Sequence, residues 1–173
     1  MIYLIVLIAV LTRFIPHMWN FSPAFAALLF GGAHLKRRDA IWYPLALLAA
    51  SDVVLTTLIY HMRLEWSQSV TWLAFAAVAI IGYGLRKRET VASIAVASVI
   101  APTVFFIISN FGVWLGWRLY PATWHGLIAC YALALPFYQN SLLASIAYTA
   151  LLFGGYEIYR RRHIGLRTTA QAR

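Results

Sequence analysis

The stretch VASIAVASVIAPTVFFIISNFGVWL, Val91 to Leu115, contains no charged residue. A helix needs about 20 mainly apolar residues to cross the hydrocarbon of a bilayer. Val91–Leu115 exceeds that length, and its only polar side chains are Ser, Thr, Asn and the indole N–H of Trp. It therefore reads as a membrane span, and the rest of the chain repeats the pattern. Ile41–Tyr60 and Val70–Leu85 are further spans, and Asn140–Tyr159 is the last. Met1–Pro16 and Pro23–Leu35 are shorter candidates, the second with Ser22 suited to cap it and Pro23 to its first helical position. Trp124–Leu135 is followed by Pro136, which lacks an amide donor and clashes with the preceding turn. The piece reads as a half-helix or re-entrant segment. The expected fold is all-α: a polytopic membrane bundle of about six transmembrane helices with one extra half-helix. Residues 1–160 form a single transmembrane domain and 161–173 a basic tail.

Composition agrees. Of 173 residues, 62% are hydrophobic and 11% charged, whereas a soluble domain is nearer half apolar with about a quarter charged. The net charge of +9 would point to nucleic acid in a soluble protein. Here the charge sits in short connections between apolar runs, so no nucleic-acid partner is expected. Lys36-Arg37-Arg38, Arg86-Lys87-Arg88 and Arg160-Arg161-Arg162, with Arg167 and Arg173, hold eleven of the fourteen basic residues. The positive-inside rule places these clusters in the cytoplasm. An even number of crossings then separates successive clusters, which gives six crossings and cytoplasmic N and C termini. Met1–Val10 has neither a basic n-region nor a small-x-small cleavage site after it, and reads as a retained first helix. The lone Cys130 has no partner for an internal disulfide.

The string Ala-Leu-Leu-Phe-Gly-Gly occurs twice, at Ala27–Gly32 and Ala150–Gly155, each time before a basic cluster. Small residues at such positions let helices approach closely. A duplication would leave the same trace.

Polar and aromatic residues gather in the outer connections. The first carries Arg13, His17, Met18, Trp19 and Asn20; the second His61, Met62, Arg63, Glu65, Trp66 and Gln68. The third carries Asn110, Trp114, Trp117, Arg118, Tyr120, Trp124 and His125. An interfacial aromatic belt accounts for part of this. The scarcity of aromatic residues at the inner side favours an outward-facing pocket with aromatic walls and a few polar anchors. Trp19, Asn20, Asp52, Trp66, Asn110, Trp114 and His125 are its candidate substrate-binding residues. Asp52 lies within the third span, where a carboxylate costs about 2.5–3.5 kcal/mol on the gentlest scale. It needs a partner, and Arg13 is the only basic residue inside a membrane segment, so an Arg13–Asp52 intramembrane ion pair is expected.

Histidines 17, 61 and 125 with Glu65 have donors suited to a metal, but they lie on different loops without ligand spacing. No metal or cofactor is expected. No nucleotide-binding loop, HExxH motif or paired intramembrane carboxylates are present, so an enzyme is not expected either.

The combination of Asn20-Phe21-Ser22-Pro23 with Ala27–Gly32, Pro44 with Ser51-Asp52, and Asn110-Phe111-Gly112-Val113-Trp114 with Tyr120-Pro121 and Gly126-Leu127 resembles a family of bacterial membrane proteins of unknown function. That family is thought related to the substrate-binding S components of energy-coupling factor (ECF) transporters. The resemblance covers nearly the whole chain and implies a bacterial inner-membrane, multi-pass protein. It also implies a vitamin- or cofactor-like substrate captured on the outer side for uptake, and a transmembrane coupling protein with ATPases as partner. One departure stands out: the Ala-x-x-x-Ala stripe that S components typically carry on the first helix is missing from Met1–Pro16. The competing expectation is a non-transporting membrane subunit or assembly factor of a larger complex, one that could bind haem or metal.

Overall fold

The computed structural model describes residues 1–15, 20–116 and 119–171. Among them are six α-helices and no strand. Helix α1 (Ile2–Leu11) ends in a 3-10 turn at Thr12–Phe14, and α2 covers Ala24–His34. Helix α3 (Trp42–Val54) runs into a π-helical turn at Leu55–Ile59, followed by α4 (Ser67–Leu85), α5 (Val91–Gly116) and α6 (Trp124–Gln171).

Pairs of contacts fix the helix directions. Tyr3 near the start of α1 hydrogen-bonds Asp39 and meets the Tyr43 ring at 5.0 Å, while Arg13 beyond its end meets Asp52. So α1 and α3 are parallel. Phe25 faces Phe75 at 6.4 Å and Gly32 abuts Gly82, which makes α2 and α4 parallel. Phe30 meets Phe153 at 5.3 Å and His34 meets Tyr156 at 4.6 Å, so α6 runs with them. Helix α5 is antiparallel to α6, with Ser98 opposite Ser145 and Ile107 opposite Tyr131. Successive helices thus alternate in direction.

The three basic clusters meet at one end of the bundle. Arg86 donates to the Gly32 carbonyl at 2.6 Å and to the Leu35 carbonyl, satisfying oxygens that the end of α2 would otherwise leave bare. His34 Nε2 lies 3.1 Å from Glu89 Oε1, and Tyr156 stands one turn before Arg160.

Helix α2 is the axis. Every residue from Ala24 to Gly32 is buried, and α2 touches all five other helices. Its tightest seam is with α4: a Cβ on Gly32 would lie 2.6 Å from the Gly82 carbonyl carbon, so only glycine permits the approach. The outside of the bundle is apolar. Leu73, Ile80, Val96, Ile107, Leu133, Leu143 and Leu151 are exposed, more apolar surface than a soluble monomer leaves in water. Trp42–Ile59, Gln68–Leu85, Val91–Gly116 and Trp124–Arg162 are long and apolar enough to cross a membrane, yet at most 33% of each is buried within the bundle. These features make the chain a helical membrane protein. Helix α1 with its 3-10 turn, and α2, are shorter apolar helices.

Two expectations are corrected. Ser22 does not cap α2; Pro23 occupies the N-cap, without a side-chain cap bond. The extra half-helix at Trp124–Leu135 does not exist as a separate piece. It is the first part of α6, a continuous helix of 48 residues and about 72 Å. Pro136 deletes one internal hydrogen bond, but contacts on both sides of it hold the helix against α5. Tyr131 Oη donates to the Ile107 carbonyl at 2.6 Å, and Tyr138 Oη lies 2.8 Å from Thr103 Oγ1. The Phe106 ring packs against both tyrosines, at 5.4 and 4.8 Å. Proline is tolerated inside membrane helices.

Candidate functional site

The α5–α6 seam carries two chambers separated by one closure. Pro102 inside α5 has no N–H, so the Ser98 carbonyl loses its donor four residues on. The Ser145 hydroxyl of α6 supplies the missing bond at 2.7 Å. Ser145, Ala144 and Ala101 are fully buried there, and the small side chains bring the helices together.

On the side of this closure away from the basic clusters lies a cavity of about 140 Å³, called the outer cavity, lined by Asn20, Ser109, Asn110, Tyr138 and Ser141 with Phe105, Phe106 and Phe137. A cavity near 150 Å³ holds a benzene-sized group, so this one matches a single small ring or one end of a larger ligand. Asn20 adopts a left-handed backbone (φ 58°), a conformation asparagine tolerates better than most residues. Asn110 Nδ2 donates to the Phe106 carbonyl at 2.8 Å, which fixes the amide on the α5 face.

On the basic-cluster side of the closure is a cleft of about 790 Å³, called the inner cleft. Val91, Ile94, Ile146, Ala150 and Phe153 form its apolar walls, and His34, Glu89, Thr90, Glu157, Arg160 and Arg161 its polar mouth. Tyr138, Ser141, Ser145 and Thr149 are spaced three, four and four apart, so they share one face of α6. This hydroxyl stripe runs from the outer cavity through the closure into the inner cleft.

A second polar node lies apart from the seam. Arg13 Nη2 is 2.6 Å from Asp52 Oδ1, with the side chains 15% and 8% exposed. Arg13 Nη1 donates to Ser51 Oγ at 2.6 Å, and Ser51 donates onward to the Leu48 carbonyl. Gln68 Nε2 donates to the other Asp52 oxygen at 3.3 Å, and the guanidinium sits 6.0 Å from the Phe75 ring centre. A buried ion pair is tolerable when its remaining hydrogen-bonding capacity is filled, and both oxygens of Asp52 are used here. The π-helical turn begins three residues later.

Asp39, between α2 and α3, is a third node. It accepts from the Tyr3 hydroxyl, from Trp42 Nε1 at 3.2 Å and from Arg38 Nε at 3.3 Å. The Tyr3 hydrogen bond, assisted by Arg38 and Trp42, holds its carboxyl below the ordinary aspartate range.

Of the residues singled out in the sequence, the structure brings Asn20 and Asn110 into one cavity and Asp52 against Arg13. Trp66 is exposed just before α4. Trp114 donates from Nε1 to the Pro121 carbonyl at 3.1 Å and braces the α5–α6 connection. His125 is exposed near the start of α6. None of these three lines the outer cavity. Trp19 and His17 lie outside the described residues. His61 and Glu65 are exposed, and among the described residues no group of three His, Cys, Asp or Glu is placed to hold a metal ion. Sequence reasoning did not pick out Gln68 as a partner for Asp52, nor Ser109 and Ser141 in the outer cavity, nor the inner cleft. The stripe at Tyr138, Ser141, Ser145 and Thr149 was the available signal for the seam.

A family model described as a family of unknown function matches residues 1–169. No curated protein and no solved structure matches the chain.

Proposed function

Since the chain belongs to DUF6580, a family of unknown function, its geometry has to supply the reading, and we propose that it is the substrate-binding membrane component of a small-molecule uptake system. The observation that carries this is the outer cavity. Asn20 and Asn110, ninety residues apart, meet there with Ser109, Tyr138 and Ser141 around a ring-sized space walled by phenylalanines. Amides and hydroxyls among aromatic walls are what orients a small ligand with a flat face.

In this reading the basic end is cytoplasmic, by the positive-inside rule. The six helices each cross the bacterial inner membrane, and both termini face the cytoplasm. A vitamin- or cofactor-like solute enters the cavity from outside. The hydroxyl stripe of α6 marks its route, and the Ser98–Ser145 contact is the barrier. No nucleotide-binding motif is present in the sequence, so an energy-supplying partner of the ECF kind belongs to the reading. Asp52 and Arg13 brace the outer ends of α1 and α3 rather than touching the solute.

Native mass spectrometry of the purified protein, with release and identification of any bound small molecule, tests this. A stoichiometric ligand that is lost in Asn20→Ala and Asn110→Ala, with folding intact, is the expected result. A ligand-free chain carrying a stable partner subunit would replace uptake with the role of an assembly subunit.

A further inference from the structure

The inner cleft has features that the outer cavity does not explain. Its volume of about 790 Å³ lies within the range of small-molecule sites, about 300–1,000 Å³. One side of its mouth carries two guanidiniums on a single carboxylate. Arg160 engages Glu157 through Nε at 2.9 Å and Nη2 at 2.8 Å, and Arg161 engages the same carboxylate through Nε at 2.7 Å. One carboxylate shared by two guanidiniums leaves a net cation on that side of the mouth, and Glu89 stands across it with His34 Nε2 3.1 Å away. At the other end of the cleft Thr149 is 1% exposed, and its hydroxyl has no hydrogen-bond partner. A buried polar group without a partner is costly, and threonine has two helical rotamers through which to present its oxygen.

The two ends are set by one helix. Arg160 and Arg161 fold back onto Glu157, eight residues beyond Thr149, which corresponds to about 12 Å of helix rise. Between them the walls are apolar.

We propose that the inner cleft binds a rod-shaped amphipathic anion. Its carboxylate or phosphate head sits on Arg160 and Arg161, its apolar body lies against Ile94, Ala150 and Phe153, and a hydrogen-bonding group near its far end meets Thr149. The inner-leaflet lipid is the other source of an anionic head at this depth. Its hydrocarbon chain would leave the Thr149 hydroxyl unpaired, and on that ground the soluble acid is preferred. The inference goes beyond the uptake reading, since it needs only the cleft.

The test is equilibrium dialysis of radiolabelled ω-hydroxydecanoate against the full chain in phosphatidylcholine nanodiscs, with empty nanodiscs as background. Saturable binding near one per chain is expected. Gly154 lines the cleft and an added Cβ there meets nothing within 4 Å, so Gly154→Leu fills the site without disturbing packing and abolishes binding. Gly84 has equally open surroundings away from the cleft, and Gly84→Leu leaves binding unchanged. Replacing Arg160 and Arg161 together by Gln weakens binding about tenfold, as expected for loss of charge-assisted hydrogen bonds. Decanoate binds the natural chain about fivefold more weakly than the hydroxy acid, and Thr149→Val removes that preference. Full binding in Gly154→Leu, or no preference for the hydroxy acid, overturns the proposal. Displacement of both acids by phosphatidylglycerol, with no dependence on Thr149, reassigns the cleft to lipid.

Discussion

The Ser145 hydroxyl bonds the one carbonyl in the middle of α5, that of Ser98, which Pro102 has deprived of its helical donor. The proline and the serine therefore work as a unit: one opens a backbone valence, and the other closes it from the neighbouring helix.

Ser145→Ala should lower stability by about 0.5–2 kcal/mol, the range of interhelical hydrogen bonds in membranes. Adding Pro102→Ala restores an amide donor to the Ser98 carbonyl. The same serine substitution should then cost clearly less. Unfolding in mixed detergent micelles measures both, and equal cost in the two backgrounds would show that the carbonyl was never dependent on Ser145.

Removing one member of the Arg13–Asp52 pair leaves a buried charge alone. Asp52→Ala or Arg13→Met should each destabilise by about 3–5 kcal/mol. The double variant Arg13→Met with Asp52→Leu should recover most of the loss, because neither charge then needs a partner. Additive losses in the double variant would speak against the pair as the cause.

Gly32→Ala sets a methyl 2.6 Å from the Gly82 carbonyl carbon, and the backbone of α4 must shift to admit it. We expect a loss of about 1–3 kcal/mol, as for other overpacked interiors. Gly84→Ala, with open space around the new methyl, should be neutral or stabilising by up to about 1 kcal/mol. Thermal unfolding of the two variants side by side checks the contrast.

The Asp39 carboxyl is held below its ordinary range, chiefly by the Tyr3 hydroxyl. A group whose folded pKa is depressed contributes stability above its unfolded pKa of about 3.9. That contribution disappears as pH falls through the folded value. The natural chain should therefore lose stability in acid, and Tyr3→Phe should flatten the dependence below about pH 4. Identical pH profiles for the two proteins would remove Tyr3 from the explanation.

Much of the fold could be read from the sequence, because membrane spans declare themselves by length and hydropathy. Val91–Leu115 matches α5 to within a residue at its end, and the basic clusters gather at one end of the bundle as their spacing implied. Pro136 misled, because a rule about isolated helices ignores what a neighbour supplies. Thr103, Phe106 and Ile107 lie two dozen residues or more upstream of the tyrosines they hold. Two of the outer cavity's five polar residues were legible, since Asn20 and Asn110 were the amides in their connections. Ser109 and Ser141 were not singled out: a serine in an apolar run draws attention only when its helical face is compared with its neighbours'. The inner cleft was invisible because charged residues clustered at a helix end look like topology markers whether or not they border a hollow.

The continuity of α6 has a mechanical side. A single rod clamped at Ser145 has an outer arm of about 32 Å to Trp124 and an inner arm of about 39 Å to Gln171. One unbroken backbone therefore joins the Trp124 end, the cavity, the cleft and Arg160–Arg162, with α5 and α2 holding it along both arms. Pro136 interrupts the internal bonding of that backbone without breaking its continuity.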